Sequence, residues 1–271
     1  MLIEKIIPPK SDAYEKYKLY FSKIGDFIDK KGLIQLFILW TLVVSGIVID
    51  MGIENRVVYW NWNNWVLGLS KIFLITVLSI FLLIPKRIWI IDSKKLSNYS
   101  ILIATVISFF IILFGLLNTN LTLKHLFVTI PYIIFFTSGV LIFQFQVRLD
   151  HESKKWVIEN IDNKILILST SSFLMILATL LGIYIDDPII STVSMVSLPF
   201  PLIALIWPTH IRHLQRARFY PLFICAMFLS VRAPWFLIPL IILFYSLRLI
   251  NYFRFGIVYP SFGVDFDEEE V

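Results

Sequence analysis

Residues 66–95 read VLGLSKIFLITVLSIFLLIPKRIWIIDSKK. An apolar run from Val66 to Ile84 holds a single ionisable residue, Lys71, and ends against Lys86, Arg87, Lys94 and Lys95. About 20 apolar residues cross the hydrocarbon core of a bilayer as a helix, so this run has the length and content of a membrane span. The cations behind it translocate poorly and mark the cytoplasmic side.

The same pattern repeats along the chain. Further apolar runs occupy Leu33–Ile49, Ser100–Leu117, Leu126–Phe145, Ile165–Ile185, Ile189–Trp207, Phe219–Val231 and Trp235–Ile250. Between them, Lys and Arg content alternates. Seven lysines precede the first run, from Lys5 to Lys31, whereas Arg56 stands alone in the first loop. The third loop has only Lys124, and the fourth has Arg148, Lys154, Lys155 and Lys164. Asp186-Asp187-Pro188 carries no cation, and the sixth loop carries Arg212, Arg216 and Arg218. Eight crossings place every basic loop on one face with both termini in the cytoplasm. The expected fold is therefore all-α: a polytopic membrane helical bundle. Its seventh segment is too short to cross upright, and is either a half-helix or a hairpin partner of the eighth.

Composition agrees. Hydrophobic residues make up 58% of the chain and charged residues 16%, with mean hydropathy +0.80. A soluble domain carries about a quarter charged residues. One membrane domain over residues 33–250 is expected, preceded by a cytoplasmic segment (1–32) and followed by an acidic tail (251–271) without a fixed fold. The lone Cys225 excludes a disulfide framework and a cysteine metal cluster. No cleavable leader is evident. The net charge of +5 fits affinity for anionic lipid head groups, not a nucleic-acid footprint. Inner or plasma membrane is the expected location.

Local signals refine the ends. Asp12 and Glu15 have capping-box spacing, and Tyr17, Tyr20, Phe21, Ile24, Phe27 and Ile28 then follow a helical stripe. That is an amphipathic helix for the cytoplasmic leaflet. Tyr59 to Trp65 is aromatic-rich and suits the opposite head-group zone. Asn120-Leu121-Thr122 has the spacing of a glycosylation sequon. The fourth loop, residues 148–164, reads as a helix of mixed charge with opposite-sign pairs four apart. Pro199-Phe200-Pro201 bends the sixth span near its middle, and Gly256 stops the last helix.

The residues that can carry chemistry are few. On a helix, Arg212 and Arg216 stand one turn apart with His213 beside them, and Arg218 falls on another side. Guanidinium forks at that spacing suit a phosphate or carboxylate. The bland reading is a topology-setting basic loop that touches lipid head groups nonspecifically. Asp150, His151 and Glu152, with Glu159, Asp162 and Asp92, offer carboxylates for a base or a metal ligand. Adjacent helical positions diverge by about 100°, however, so the first three cannot converge on one ion, and no metal site is expected. His125 reads as a structural imidazole, and His210 and His213 lack a carboxylate at metal-site spacing. Lys71 and Arg248 lie near span ends and are expected to snorkel. The near-absence of midplane ionisable groups argues against a coupled transporter.

The stretch from Asp92 through Ser100, followed by an apolar helix, loosely resembles intramembrane prenyltransferases of the UbiA type. That resemblance implies a helical fold acting on a prenyl diphosphate. The chain departs from the family pattern, which repeats Asp at three- or four-residue intervals on two cytoplasmic loops to hold magnesium diphosphate; Asp92 has no such companion. Three functions therefore stand open. The first is an accessory or structural subunit of a membrane complex, with other membrane subunits as partners. The second is an enzyme acting on a lipid or prenyl phosphate, with Arg212, Arg216 and Arg218 as the anion clamp, His213 as acid or base, and Asp150 or Glu152 as base or ligand. The third is a carrier or flippase of an apolar molecule. No cofactor is legible.

Overall fold

A computed structural model of the chain describes residues 2–9, 11–31, 36–52, 60, 62–83, 97–117, 122–145, 147–149, 156–158 and 163–256. Two helices precede the first apolar run: α1 (Leu2–Ile6) and α2 (Asp12–Lys31). Then come α3 (Leu36–Asp50), α4 (Trp65–Leu78), α5 (Asn98–Leu116) and α6 (Leu123–Ile142). Two short strands follow, β1 (Val147–Leu149) and β2 (Trp156–Ile158), and then α7 (Lys164–Tyr184), α8 (Pro188–Ser197), α9 (Pro199–Ile206), α10 (Ile211–Arg232) and α11 (Leu237–Phe255).

Six of these segments are long and apolar enough to cross a membrane, by length and composition: Trp65–Leu82, Asn98–Leu116, Leu123–Ile142, Lys164–Tyr184, Pro188–Ile206 and Pro234–Phe255. Apolar side chains cover both their core and their outer faces. Phe73, Phe110, Phe127, Phe173 and Ile241 are all exposed on the bundle's outside. A helix that is hydrophobic all round belongs in lipid. The chain is a polytopic membrane protein by this composition. The apolar helix α3 is shorter, at 15 residues.

The seventh apolar segment is neither a half-helix nor merged with the eighth. It is the second part of α10, a helix of 22 residues that begins at Ile211 and includes Arg212, His213, Arg216 and Arg218. At 1.5 Å per residue that helix is about 33 Å long. Hydropathy cut it short because its first half is basic. Ala233 and a 3-10 turn, Pro234–Phe236, separate it from α11. The last helix also runs five residues past Ile250, to Phe255, and Gly256 closes it in the left-handed region at φ 71°.

The fourth loop is not a helix through its described part. β1 and β2 pair antiparallel with Arg148 opposite Val157. Val147 to Leu149 and Trp156 to Ile158 are rich in β-branched and aromatic residues, which suit a strand. The charge pairs that suggested a helix involve Asp150, Lys154, Lys155 and Glu159, which lie outside the described residues. So do residues 120–121 of the sequon and residues 257–271 of the tail, whereas its first five residues, expected to lack a fixed fold, are helical as the end of α11.

The N-terminal helix forms where the stripe places it, but its cap is one residue earlier. Ser11 Oγ accepts the N–H of Tyr14 at 3.2 Å, and Ser11 O accepts that of Glu15. α2 does not rest on lipid alone. Phe21 stacks on Phe253 with ring centres 4.6 Å apart, and Tyr14 donates to Tyr252 O at 3.0 Å. Arg254 Nη2 donates to Asp26 Oδ1 at 2.9 Å. Tyr17, Tyr20 and Phe27 of the same stripe remain exposed.

Close helix contacts set the bundle. α3 and α5 touch backbone to backbone where Gly46 faces Gly115. Ser138 and Ser171 exchange hydrogen bonds between α6 and α7. Trp235, fully buried, lies over Gly68 of α4, where any Cβ would strike the indole. α8 and α9 form one apolar segment interrupted at Leu198, as Pro199 and Pro201 require.

Candidate functional site

α10 begins at a turn held by α7. Lys164 Nζ, at the start of α7, donates to Pro208 O at 2.7 Å. His210, in extended geometry, precedes Ile211. The His210 and His213 rings then lie 4.3 Å apart, with Trp207 5.8 Å from His213. Arg212, His213 and Arg216 share a half-buried face. Leu214 and Ala217 turn inward onto Ile142, Phe145, Leu168 and Ala204.

Arg218 leaves that face. It sits two residues beyond Arg216, about 200° round the helix, and is 9% exposed. Its guanidinium carbon lies 4.8 Å from the centre of the Phe143 ring and 5.6 Å from that of Phe219. The three arginines therefore do not form one clamp: Arg212 and Arg216 can meet a head group at the surface, while Arg218 points between helices. Asp150, Glu152, Asp92, Glu159 and Asp162 lie outside the described residues. Among the described residues no three of His, Cys, Asp and Glu gather closely enough to hold a metal ion.

Burial lowers the pKa of His213, and the nearby His210 and Arg216 lower it further. A depressed folded-state pKa makes the fold bind fewer protons than the unfolded chain. Stability is then complete above the ordinary histidine value of about 6.5 and falls as pH drops below it. Thermal melting of the purified protein from pH 7.5 to 5.5 should show that acid loss, and His213→Gln should flatten it. An identical slope in the variant would remove His213 as its source.

His125 is structural, as its isolation suggested. Its Nδ1 lies 2.7 Å from Thr122 Oγ1 and accepts the Thr122 N–H, closing the start of α6. Lys71 does not snorkel. It is 5% exposed, and its ammonium donates to Gly115 O at 2.6 Å. The absence of Cβ atoms at Gly46 and Gly115 brings that carbonyl within reach.

A polar centre that hydropathy and charge patterning do not announce lies at the opposite end of α10. Tyr132 donates to Asp187 Oδ2 at 2.9 Å, and the N–H groups of Ile189 and Ile190 donate to Asp187 Oδ1 at 2.9 and 3.2 Å. Arg232 is buried nearby. Burial pushes the Asp187 carboxyl above the ordinary range; the Tyr132 hydroxyl, the two N–H groups and the Arg232 charge oppose it. The available signal was Asp187-Pro188 before an apolar run, a helix-start signature.

No family model matches the chain, and neither the curated proteins nor the solved structures contain a significant match.

Proposed function

We propose that the chain crosses the membrane eight times, with both termini cytoplasmic, and serves as an accessory subunit of a membrane complex. The alternation of basic loops supports the topology, and the length of α10 supplies the crossing that hydropathy alone shortens. The observation that carries the subunit reading is how buried cations are used. Lys71 and Lys164 each donate to a backbone carbonyl of a neighbouring segment, fixing helices to one another. The aromatic face of α2, with Tyr20 and Phe27 exposed, then offers a surface beside the bundle for a partner subunit. Anionic lipid head groups are the expected lipid partners at the basic end.

A reporter fused after Val271 should be active in the cytoplasm. Native purification should bring down a stoichiometric partner, and Tyr20→Glu with Phe27→Glu should release it without changing the melting temperature. A solitary protein that turns over a lipid phosphate would replace this reading with the enzymatic one. The half-buried face of Arg212, His213 and Arg216 favours that second reading, because the Arg216 Nε has no partner among the described residues. In that case Arg212→Gln with Arg216→Gln should abolish turnover.

A further inference from the structure

Arg218 closes one wall of a cleft of about 20 Å³ between α3, α6 and α10. Every other lining side chain is apolar, among them Ile38 of α3, Phe136 and Val140 of α6, Phe143 just past its end, and Leu222 of α10. The Arg218 Nε is buried and has no hydrogen-bond partner among the described residues. One turn earlier on the same helix, the Nε2 of buried Gln215 is also unpartnered. A guanidinium removed from water costs several kcal/mol unless an anion or hydrogen-bond acceptors compensate it. The rings of Phe143 and Phe219 supply part of that compensation through cation–π attraction, roughly 1–2 kcal/mol. They supply no acceptor.

We propose that this cleft binds the head of an amphiphilic carboxylate, with Arg218 holding a carboxylate oxygen and the ligand's chain lying along the apolar mouth of the cleft. Three observations select that chemistry. The wall presents a donor and no acceptor, so the ligand brings the acceptor. The free space, about 20 Å³, holds one oxygen-sized group, so only the carboxylate edge of the ligand enters it. The remaining lining is hydrocarbon and aromatic, which suits a chain and not a free, hydrated anion. The planar fork of Arg218 matches a carboxylate with two parallel hydrogen bonds. The site is separate from the half-buried Arg212–Arg216 face, and it stands whether or not the chain is an accessory subunit.

Gly139 gives a test that leaves Arg218 intact. It lines the cleft, and a Cβ built on it meets nothing within 4 Å. Gly139→Leu therefore fills the space without straining the helix. The full chain in lipid nanodiscs is titrated with palmitate, with palmitic acid methyl ester and with hexadecyl phosphate, and thermal melting is followed. Palmitate should raise the melting temperature of the wild type, and the methyl ester should not. Arg218→Met and Gly139→Leu should each weaken the palmitate response at least about tenfold in apparent affinity, the effect of losing one charge-assisted hydrogen bond. Arg218→Lys should retain part of it. If Arg218→Met fails to fold, Gly139→Leu alone decides. The proposal is overturned by no palmitate shift in the wild type, by an equal shift with the methyl ester, by an undiminished response in Gly139→Leu, or by a stronger response to hexadecyl phosphate.

Discussion

Gly46→Leu leaves little folded protein: its melting temperature in detergent falls steeply, and most of the protein is recovered as aggregate. α3 and α5 meet without side chains between them. A Cβ on Gly46 collides with Ile112 O and comes within 2.8 Å of Gly115 Cα. A Cβ on Gly115 collides with Val43 O and comes equally close to Gly46 Cα. Backbone atoms of two helices cannot step aside as a flexible side chain does, so the helices must separate. Overpacking in a dense interior typically costs about 1–3 kcal/mol. Separation here also draws Gly115 O away from the Lys71 ammonium, a charged hydrogen bond worth about 1.5–3 kcal/mol. A total near 4 kcal/mol is a large share of the roughly 5–15 kcal/mol that holds a typical domain folded. Gly139→Ala is the control. Its Cβ enters open space on α6, and alanine favours a helix by about 1 kcal/mol over glycine, so it should be neutral or stabilising. A wild-type melting temperature for Gly46→Leu would mean that α3 and α5 do not cross at these glycines.

Small residues are the usual contact points of membrane helices, because packing rather than water exclusion joins them. The sequence contains that information but does not pair it: nothing local says that Gly46 meets Gly115, which is 69 positions away. Local properties were legible. Apolar length gave most of the helices within a few residues, and Gly256, His125 and the Pro199-Phe200-Pro201 interruption each acted as their chemistry implied. The misreadings came where local chemistry yields to tertiary context. The basic first half of α10 looked like a loop because hydropathy scores the side chain and not the backbone. Residues 148–164 looked helical from their charges, but the β-branched and aromatic residues of 147–149 and 156–158 pair as strands. Lys71 looked free to snorkel because the carbonyl that holds it belongs to another helix. At the candidate site, the pattern of Arg212, His213 and Arg216 on one face followed from helical periodicity alone. Burial of Arg218 required knowing that Phe143, at the end of α6, lies across from it.

Asp187→Ala should cost about 3–5 kcal/mol, whereas Asp187→Asn should cost roughly 1 kcal/mol. The carboxyl has three simultaneous tasks. Its Oδ1 caps α8 through the Ile189 and Ile190 N–H groups, its Oδ2 accepts from Tyr132, and its charge faces that of Arg232. Asp187 is 1% exposed, so water cannot substitute for any of these. Alanine removes the cap, worth about 1 kcal/mol, and leaves the Tyr132 hydroxyl unsatisfied, about 1–3 kcal/mol. It also removes the negative charge that faces Arg232, the same loss of roughly 1 kcal/mol that asparagine brings. These effects overlap, since all act through one carboxyl, and the upper value bounds the sum. Asparagine keeps an oxygen for the cap; its amide NH2 only donates, so the contact with Tyr132 survives with the bond reversed, the hydroxyl oxygen accepting, and the charge is lost. Because burial already raises the carboxyl's pKa, that charge contributes less than a surface pair would suggest. The pairing is checked by a cycle. Tyr132→Phe alone should cost about 1 kcal/mol. On top of Asp187→Ala it should cost nothing, because the hydroxyl has already lost its acceptor and the phenyl ring keeps its packing. Strictly additive costs would mean that Tyr132 and Asp187 act independently.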